Sequence, residues 1–314
     1  MGKYVIAYDI GTTGVKTCLF EIEKDIKMLA AASEGYKLYV LDDGGAEQDP
    51  DEWWGAMRST TATIFSKVDV KPEEVEGISF CSQAQGLVLV DKDGNAIRRA
   101  FSYMDQRARE EIKEGIAYGF QIAGGNVMKL LPSLMITGAA PLSVKDPVWK
   151  YNWVKKHEPD NFKKVHKWLD VKEYLICRMT GEFVMTYDSA FGTEMYDYKK
   201  KCFSKKMCKM FGVDINHFPR LIASTECAGT VTKKAAEELG RLLSDRTTGT
   251  QRYHSAGRLL DVVRYGDGAP LGTKARDPVL VCISGNQVPV LQAHREIYLP
   301  DGAPDGECGD PSWC

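Results

Sequence analysis

Apolar residues run almost unbroken through Tyr4-Val-Ile-Ala-Tyr-Asp-Ile10, the pattern of a strand buried on both faces. Gly11-Thr-Thr-Gly14 interrupts the run and Val15-Lys-Thr-Cys-Leu-Phe-Glu-Ile22 resumes it, which predicts a strand, a tight glycine turn and a second strand. Asp49-Pro50-Asp51-Glu52 combines an N-cap aspartate, a first-turn proline and a capping-box glutamate. Behind it Trp53, Trp54, Met57, Ile64 and Phe65 recur at helical spacing, so a helix is expected to lie on the sheet. Strand patterning returns at 77–81 and 87–90, and Asp91-Lys-Asp-Gly94 turns the chain toward Ala96-Ile97. A further helix is expected from Asp146-Pro147, with Trp149 and Trp153 one turn apart and Pro159 closing it. Another spans 171–179 and stops at Thr180-Gly181.

Strands and helices thus alternate through residues 1–240, which favours an α/β layer fold over a bundle or a sandwich. After Gly240 the pattern breaks. Residues 241–314 are rich in Gly, Pro, Asp and Arg, only Pro278-Val-Leu-Val-Cys-Ile283 reads as a strand, and the segment is expected to be poorly ordered. No internal repeat is visible.

Composition narrows the function classes. Forty-one basic and forty-three acidic side chains leave a formal charge of -2, and no basic block is long enough for a nucleic-acid or membrane footprint. The Lys199-Lys-Lys201 run reads as a solvated face. No apolar stretch reaches the length of a signal peptide or membrane span, so a cytoplasmic protein is expected. Among the nine cysteines, Cys18, Cys81, Cys177, Cys202, Cys208 and Cys227 show neither CxxC spacing nor a histidine cluster, which argues against a zinc site or a disulfide framework. Cys18 and Cys81 are expected to be buried as small apolar side chains on strands.

The strongest chemical signal is Asp9-Ile-Gly-Thr-Thr-Gly14 with Lys16. Small residues in a hairpin turn let backbone N–H groups and two hydroxyls approach phosphate oxygens, while Asp9 at the strand end can hold Mg²⁺ directly or through water. A Walker loop would need a longer glycine loop leading into a helix, whereas here a strand follows. An ordinary hairpin turn is the plain alternative.

The Asp9–Gly14 string resembles the first phosphate motif of the actin, Hsp70 and sugar kinase superfamily. Four further segments, in the family's order, resemble FGGY carbohydrate kinases, and xylulokinases in particular. They are Glu47-Gln-Asp-Pro-Asp-Glu-Trp-Trp54, Ile78-Ser-Phe-Cys-Ser-Gln-Ala-Gln-Gly-Leu87, Tyr103-Met-Asp-Gln-Arg107, and Asp170 through Thr180-Gly181 to Thr186-Tyr-Asp-Ser-Ala190. The resemblance implies a ribonuclease H-like N-terminal domain over 1–240, with ATP and Mg²⁺ as cofactors and a small sugar as substrate, and it leaves a homo-oligomer open. It implies phosphate contacts from Gly11, Thr12, Thr13, Gly14 and Lys16, and metal contact from Asp9. Gln83, Ala84, Gln85 and Gly86 would border the sugar, with Tyr103, Asp105 and Arg107 opposite them.

Two departures blur the substrate. Xylulokinases usually carry Met-His-Gly where this chain has Ala84-Gln85-Gly86, and Tyr103 replaces a commoner tryptophan, so xylulose is one candidate among pentoses, pentuloses and related polyols. Alternatively, Asp105 and Arg107 form a surface ion pair and Gln83 and Gln85 cap a strand end. Trp53, Trp54, Trp149 and Trp153 are expected as core anchors.

The family's aspartate base lies in a G-G-x-D-type segment shortly after the point reached at Ala235-Ala-Glu-Glu-Leu-Gly240. None follows here, and Asp245, Asp261 and Asp267 lack that setting, so no catalytic base is assigned. The second kinase domain is likewise expected to be absent and turnover impaired. A reading-frame change near Gly240 would account for this, since Gly249-Thr-Gln-Arg-Tyr253 can be encoded so that a shifted frame reads Asp-Ala-Thr-Leu. The rival functions are a non-catalytic sugar-binding module and an actin-like phosphate-binding scaffold.

Overall fold

The structure is a computed structural model, and it describes residues 3–239 except 24 and 123, together with Tyr253–His254. The tail after Gly240, including the expected strand at 278–283, otherwise lies outside the described residues.

The expected opening is present. Strand β1 (Lys3–Ile10) turns through Gly11-Thr-Thr-Gly14 into β2 (Gly14–Ile22), paired antiparallel with Asp9 opposite Lys16 and Ile10 opposite Val15. The hairpin is extended by β3 (Ile26–Gly35), a ten-residue strand that the sequence pattern did not mark. Its burial is irregular because it is the outer strand of the sheet. After the short β4 (Ala46–Gln48), helix α1 (Pro50–Phe65) crosses over and β5 (Val75–Ser82) returns parallel to β1. The sheet order is β3-β2-β1-β5.

Helix α1 begins as expected at Asp49, whose side chain accepts the Asp51 amide, with Pro50 in the first turn. Glu52 does not close a capping box, however. It accepts instead from the Lys37 amide at 2.9 Å and the Tyr39 hydroxyl at 2.5 Å, anchoring the chain between β3 and β4. Trp53, Met57 and Ile64 are buried against the sheet. Two hydroxyl pairs lock the layers, Tyr8 with Thr61 and Thr17 with Thr60, each at 2.7 Å.

The chain then passes through β6 (Val88–Val90), β7 (Ala100–Phe101), α2 (Val127–Thr137), α3 (Pro147–His157), β8 (Lys167–Leu169) and α4 (Val171–Thr180). Helix α4 ends at Gly181 with φ +80°, as the sequence predicts. Pro159 does more than close α3, since it starts the short helix Pro159–Phe162. A second hydrophobic cluster gathers on α3, where Trp149 packs edge-on to Phe211 and Tyr151 stacks on Trp168 with centroids 5.2 Å apart. Trp53 and Trp54 anchor the first core cluster and Trp149 the second, where Trp153 is partly buried.

Cys18 and Cys81, expected to be buried, are only half-buried, and the six cysteines of the described residues are free thiols. The two-residue strand Tyr253–His254 pairs with Cys227–Gly229, adding a strand that the tail's composition did not announce. No helix of the described residues is long and apolar enough to cross a membrane.

Candidate functional site

Because β1 and β5 are parallel neighbours with Ile10 opposite Ser82, the loops that follow them emerge side by side. The first is the Gly11–Gly14 turn and the second is the Gln83–Gly86 loop. The Gln83 amide donates to the Ile10 carbonyl at 2.8 Å. Two motifs separated by about seventy positions therefore share one end of the sheet.

In the turn, the Gly11 amide donates to the Gly14 carbonyl at 2.9 Å. The remaining carbonyls point into the protein: Gly11 O accepts the Tyr36 hydroxyl, Thr13 O the Tyr36 amide, and Thr12 O the Gln48 side-chain amide at 2.7 Å. The amides and hydroxyls of Thr12 and Thr13 have no partner among the described residues. Donors are thus left open while acceptors are engaged, which is the polarity of an anion-binding nest. Lys16 is exposed and Asp9 half-buried, opposite each other in the register. Gly14 is obligatory for packing, since a Cβ there would lie 2.6 Å from the Glu34 carbonyl oxygen of β3.

The donor set fits the cofactors that the resemblance implies. Asp9 and the threonine hydroxyls are hard oxygen donors, and among the described residues no group of three or more His, Cys, Asp or Glu could cage an ion. Mg²⁺ commonly takes one or two carboxylates and completes its shell with water and phosphate oxygens.

Gln48, which sequence reasoning left out, links the two loops. Its Oε1 accepts the Gln83 side-chain amide at 2.6 Å while its own amide holds Thr12. It lies just inside the Glu47–Trp54 motif, so the signal was available, but its partners are distant in sequence. On the neighbouring loop Ala84 and Gln85 are exposed. Gln85 adopts φ +61°, a left-handed conformation that costs a non-glycine residue free energy and needs outside support. Asp170 supplies that support, accepting the Gln85 amide on Oδ2 and the Gly86 amide on Oδ1, each at 3.0 Å. A Cβ on Gly86 would come within 2.9 Å of Asp170 Oδ1. Burial pushes the Asp170 carboxyl up to about 7, with the nearby Glu173 charge adding to it.

Tyr103 is 37% exposed, as a ligand-facing side chain requires. Asp105 and Arg107 are not a surface pair. Asp105 is fully buried and accepts the Ala46 amide at 2.8 Å and Arg107 Nε at 3.0 Å. Arg107 reaches Glu47 at 2.7 Å, with its guanidinium carbon 4.6 Å from the centroids of both Phe101 and Trp153. Glu47 also receives Arg98, which in turn binds Glu158. The Tyr103–Arg107 segment thus holds its shape through a buried ionic network, while Tyr103 itself stays open.

The remaining signature residues brace the domain. Thr186 donates to the buried Glu173 at 3.0 Å, and Asp188 accepts Ser224 at 2.6 Å as well as Lys172.

The model of the family described as "FGGY family of carbohydrate kinases, N-terminal domain" matches residues 4–244. The chain belongs to the FGGY family of carbohydrate kinases. It is 31% identical over 241 residues to a xylulose kinase of Bacillus subtilis (strain 168), covering 76% of this chain and 46% of that protein. It is also 28% identical over 244 residues to a gluconokinase of the same organism, covering 76% and 44%. The chain thus spans about half the length of the curated relatives it matches.

The fold agrees with solved sugar kinases. A xylulose kinase from Rhodospirillum rubrum superimposes with a TM-score of 0.69 at 22% identity, covering 80% of this chain and 48% of that one. A gluconate kinase from Lactobacillus acidophilus gives 0.68 at 24%, covering 81% and 48%. This FGGY domain therefore has the α/β, ribonuclease H-like architecture expected of its sequence, and one domain of that kind accounts for the match.

Proposed function

We propose that this FGGY domain, spanning residues 1–240, is the sugar-binding half of an ATP-dependent carbohydrate kinase acting on a hydroxyl of a pentulose or a related sugar or polyol. The observation that carries the reading is the parallel pairing of β1 with β5, tied by Gln48, which sets an anion-binding turn beside a polar loop. Phosphoryl transfer depends on holding an acceptor hydroxyl near phosphate in a fixed geometry, which two adjacent rigid loops provide.

In this reading the amides and hydroxyls of Thr12 and Thr13 meet phosphate oxygens, Gly11 and Gly14 shape the turn, and Lys16 adds positive charge. Asp9 would hold Mg²⁺, which when bound neutralises phosphate charge. Gln83, Ala84, Gln85 and Gly86 form one wall of the sugar site and Tyr103 the other, exchanging hydrogen bonds with the polyol in place of water. Asp105 and Arg107 shape the Tyr103 wall from beneath. The near-balanced charge supports a small-molecule partner, and the reading places the domain in the cytoplasm, where ATP is available.

Calorimetric titration of the purified chain with a panel of pentuloses, pentoses, aldonates and polyols tests the proposal, with ATP consumption followed in parallel. Saturable binding of at least one sugar is expected, with turnover weak or absent because the described residues provide no assigned base. Binding without turnover fits a sugar-binding module equally well, and ATP turnover by a full-length relative carrying these residues separates the two. Failure of every sugar to bind overturns the reading.

A further inference from the structure

Lys150 lies on α3, far in sequence from every motif of the site, yet it is among the most completely buried side chains of the described residues at 0% exposure. Lysine is almost never buried to this degree without partners. Its Nζ donates to the Gln85 carbonyl at 3.2 Å and to the Ser102 carbonyl at 2.9 Å. Gln85 belongs to one wall of the sugar site, and Ser102 immediately precedes Tyr103 on the other. One ammonium group therefore reaches the backbone of both walls.

The surroundings explain why a charge is tolerated there. Asp105, Asp170 and Asp146 favour the ammonium, Lys145 opposes it, and Glu194 faces it as well. Two of these carboxylates hold the loops themselves, Asp170 through the Gln85 and Gly86 amides, and Asp105 through the Arg107 amide in the segment that carries Tyr103. Burial nevertheless outweighs them and pushes Lys150 down to about 8.

Resting on the sugar-site reading above, we infer that Lys150 is a positioning residue, fixing the separation of the Gln83–Gly86 and Tyr103 walls through the Gln85 and Ser102 carbonyls. A polyol bridging the walls needs donors and acceptors at a fixed span, and an error of about 1 Å forfeits hydrogen bonds on one side. The left-handed Gln85 gives the lysine a second task, because Asp170 holds that residue's amide while Lys150 holds its carbonyl.

The test compares the wild type with Lys150→Met and Lys150→Arg by sugar titration and by hydrogen exchange over 83–87 and 102–106. Lys150→Met is expected to weaken sugar binding by about tenfold or more, the scale of one charge-assisted hydrogen bond. Exchange should accelerate in both segments and not across β1–β3. Lys150→Arg, which keeps donors and charge, should recover part of the affinity. Sugar binding by the methionine variant equal to wild type overturns the inference, and so does faster exchange spread evenly through the domain.

If the methionine variant does not fold, the wild type decides the matter. Its sugar affinity should fall between about pH 7 and pH 9.5 as the ammonium loses its proton, and a flat profile counts against the inference. If no sugar binds the wild type, the functional reading fails, while exchange in the methionine variant still reports the tie: faster exchange in the two segments together supports it, and faster exchange in one alone or in neither overturns it.

Discussion

Removing the Asp170 side chain should separate two kinds of contribution that the structure makes distinguishable. Its Oδ1 accepts two amides, Gly86 at 3.0 Å and Val171 at 2.8 Å, and both residues are buried. Its Oδ2 accepts only the amide of the exposed Gln85. In Asp170→Ala the two buried amides lose their acceptor, and at roughly 1–3 kcal/mol for each orphaned donor the loss is about 2–6 kcal/mol, helix cap included. Asp170→Asn can keep an oxygen at the Oδ1 position and loses only the Gln85 bond, which water can replace, so it should cost about 1 kcal/mol. Urea denaturation of the three proteins measures both numbers. Equal losses in the two variants, or a loss below about 1 kcal/mol for alanine, would refute the division of labour between the two oxygens.

The same residue predicts a pH dependence. Its folded value is raised from 3.8 to about 7, so its contribution to stability is fully present below the unfolded value and is lost as pH rises through about 7. The urea midpoint of Asp170→Asn should therefore gain on the wild type between about pH 5 and pH 8, and a gap that widens instead argues against the assignment. Gly14→Ala should destabilise by about 1–3 kcal/mol, because its Cβ would press on the Glu34 carbonyl oxygen 2.6 Å away, and thermal unfolding reads this directly. Arg107→Met strands the buried Asp105 and leaves Glu47 with Arg98 alone, at a cost of about 3–5 kcal/mol in the same urea assay. Gln48→Leu should leave stability within about 1 kcal/mol of wild type yet weaken sugar binding, since it frees Gln83 without removing a core contact.

Local sequence determined a good deal of this. The opening hairpin, the Asp49 cap of α1 and the Gly181 stop of α4 follow from residues within one turn of each other, where glycine freedom, proline geometry and side-chain capping decide the backbone. The Gly11–Gly14 turn and the Gln83–Gly86 loop were legible for the same reason, as short contiguous strings. Strand β3 was not, because an outer strand with mixed burial carries no clean alternation. The capping-box expectation for Glu52 failed because Tyr39 and Lys37, brought close by folding, compete for the same carboxylate.

What the tertiary structure alone decided is how those pieces act on one another. The parallel register of β1 and β5 sets the two loops side by side, and no local pattern encodes a pairing across some seventy residues. Burial drew Asp105 and Arg107, expected beside the sugar or else as a surface pair, into an internal ionic network, since a charge removed from water must find its partners inside. The roles of Gln48, Lys150 and Asp170 likewise arise from contacts between distant segments. Local residue patterns dictate which elements form and which chemistry they carry. Long-range packing determined which side chains remain open to a ligand and which hold the open ones in place.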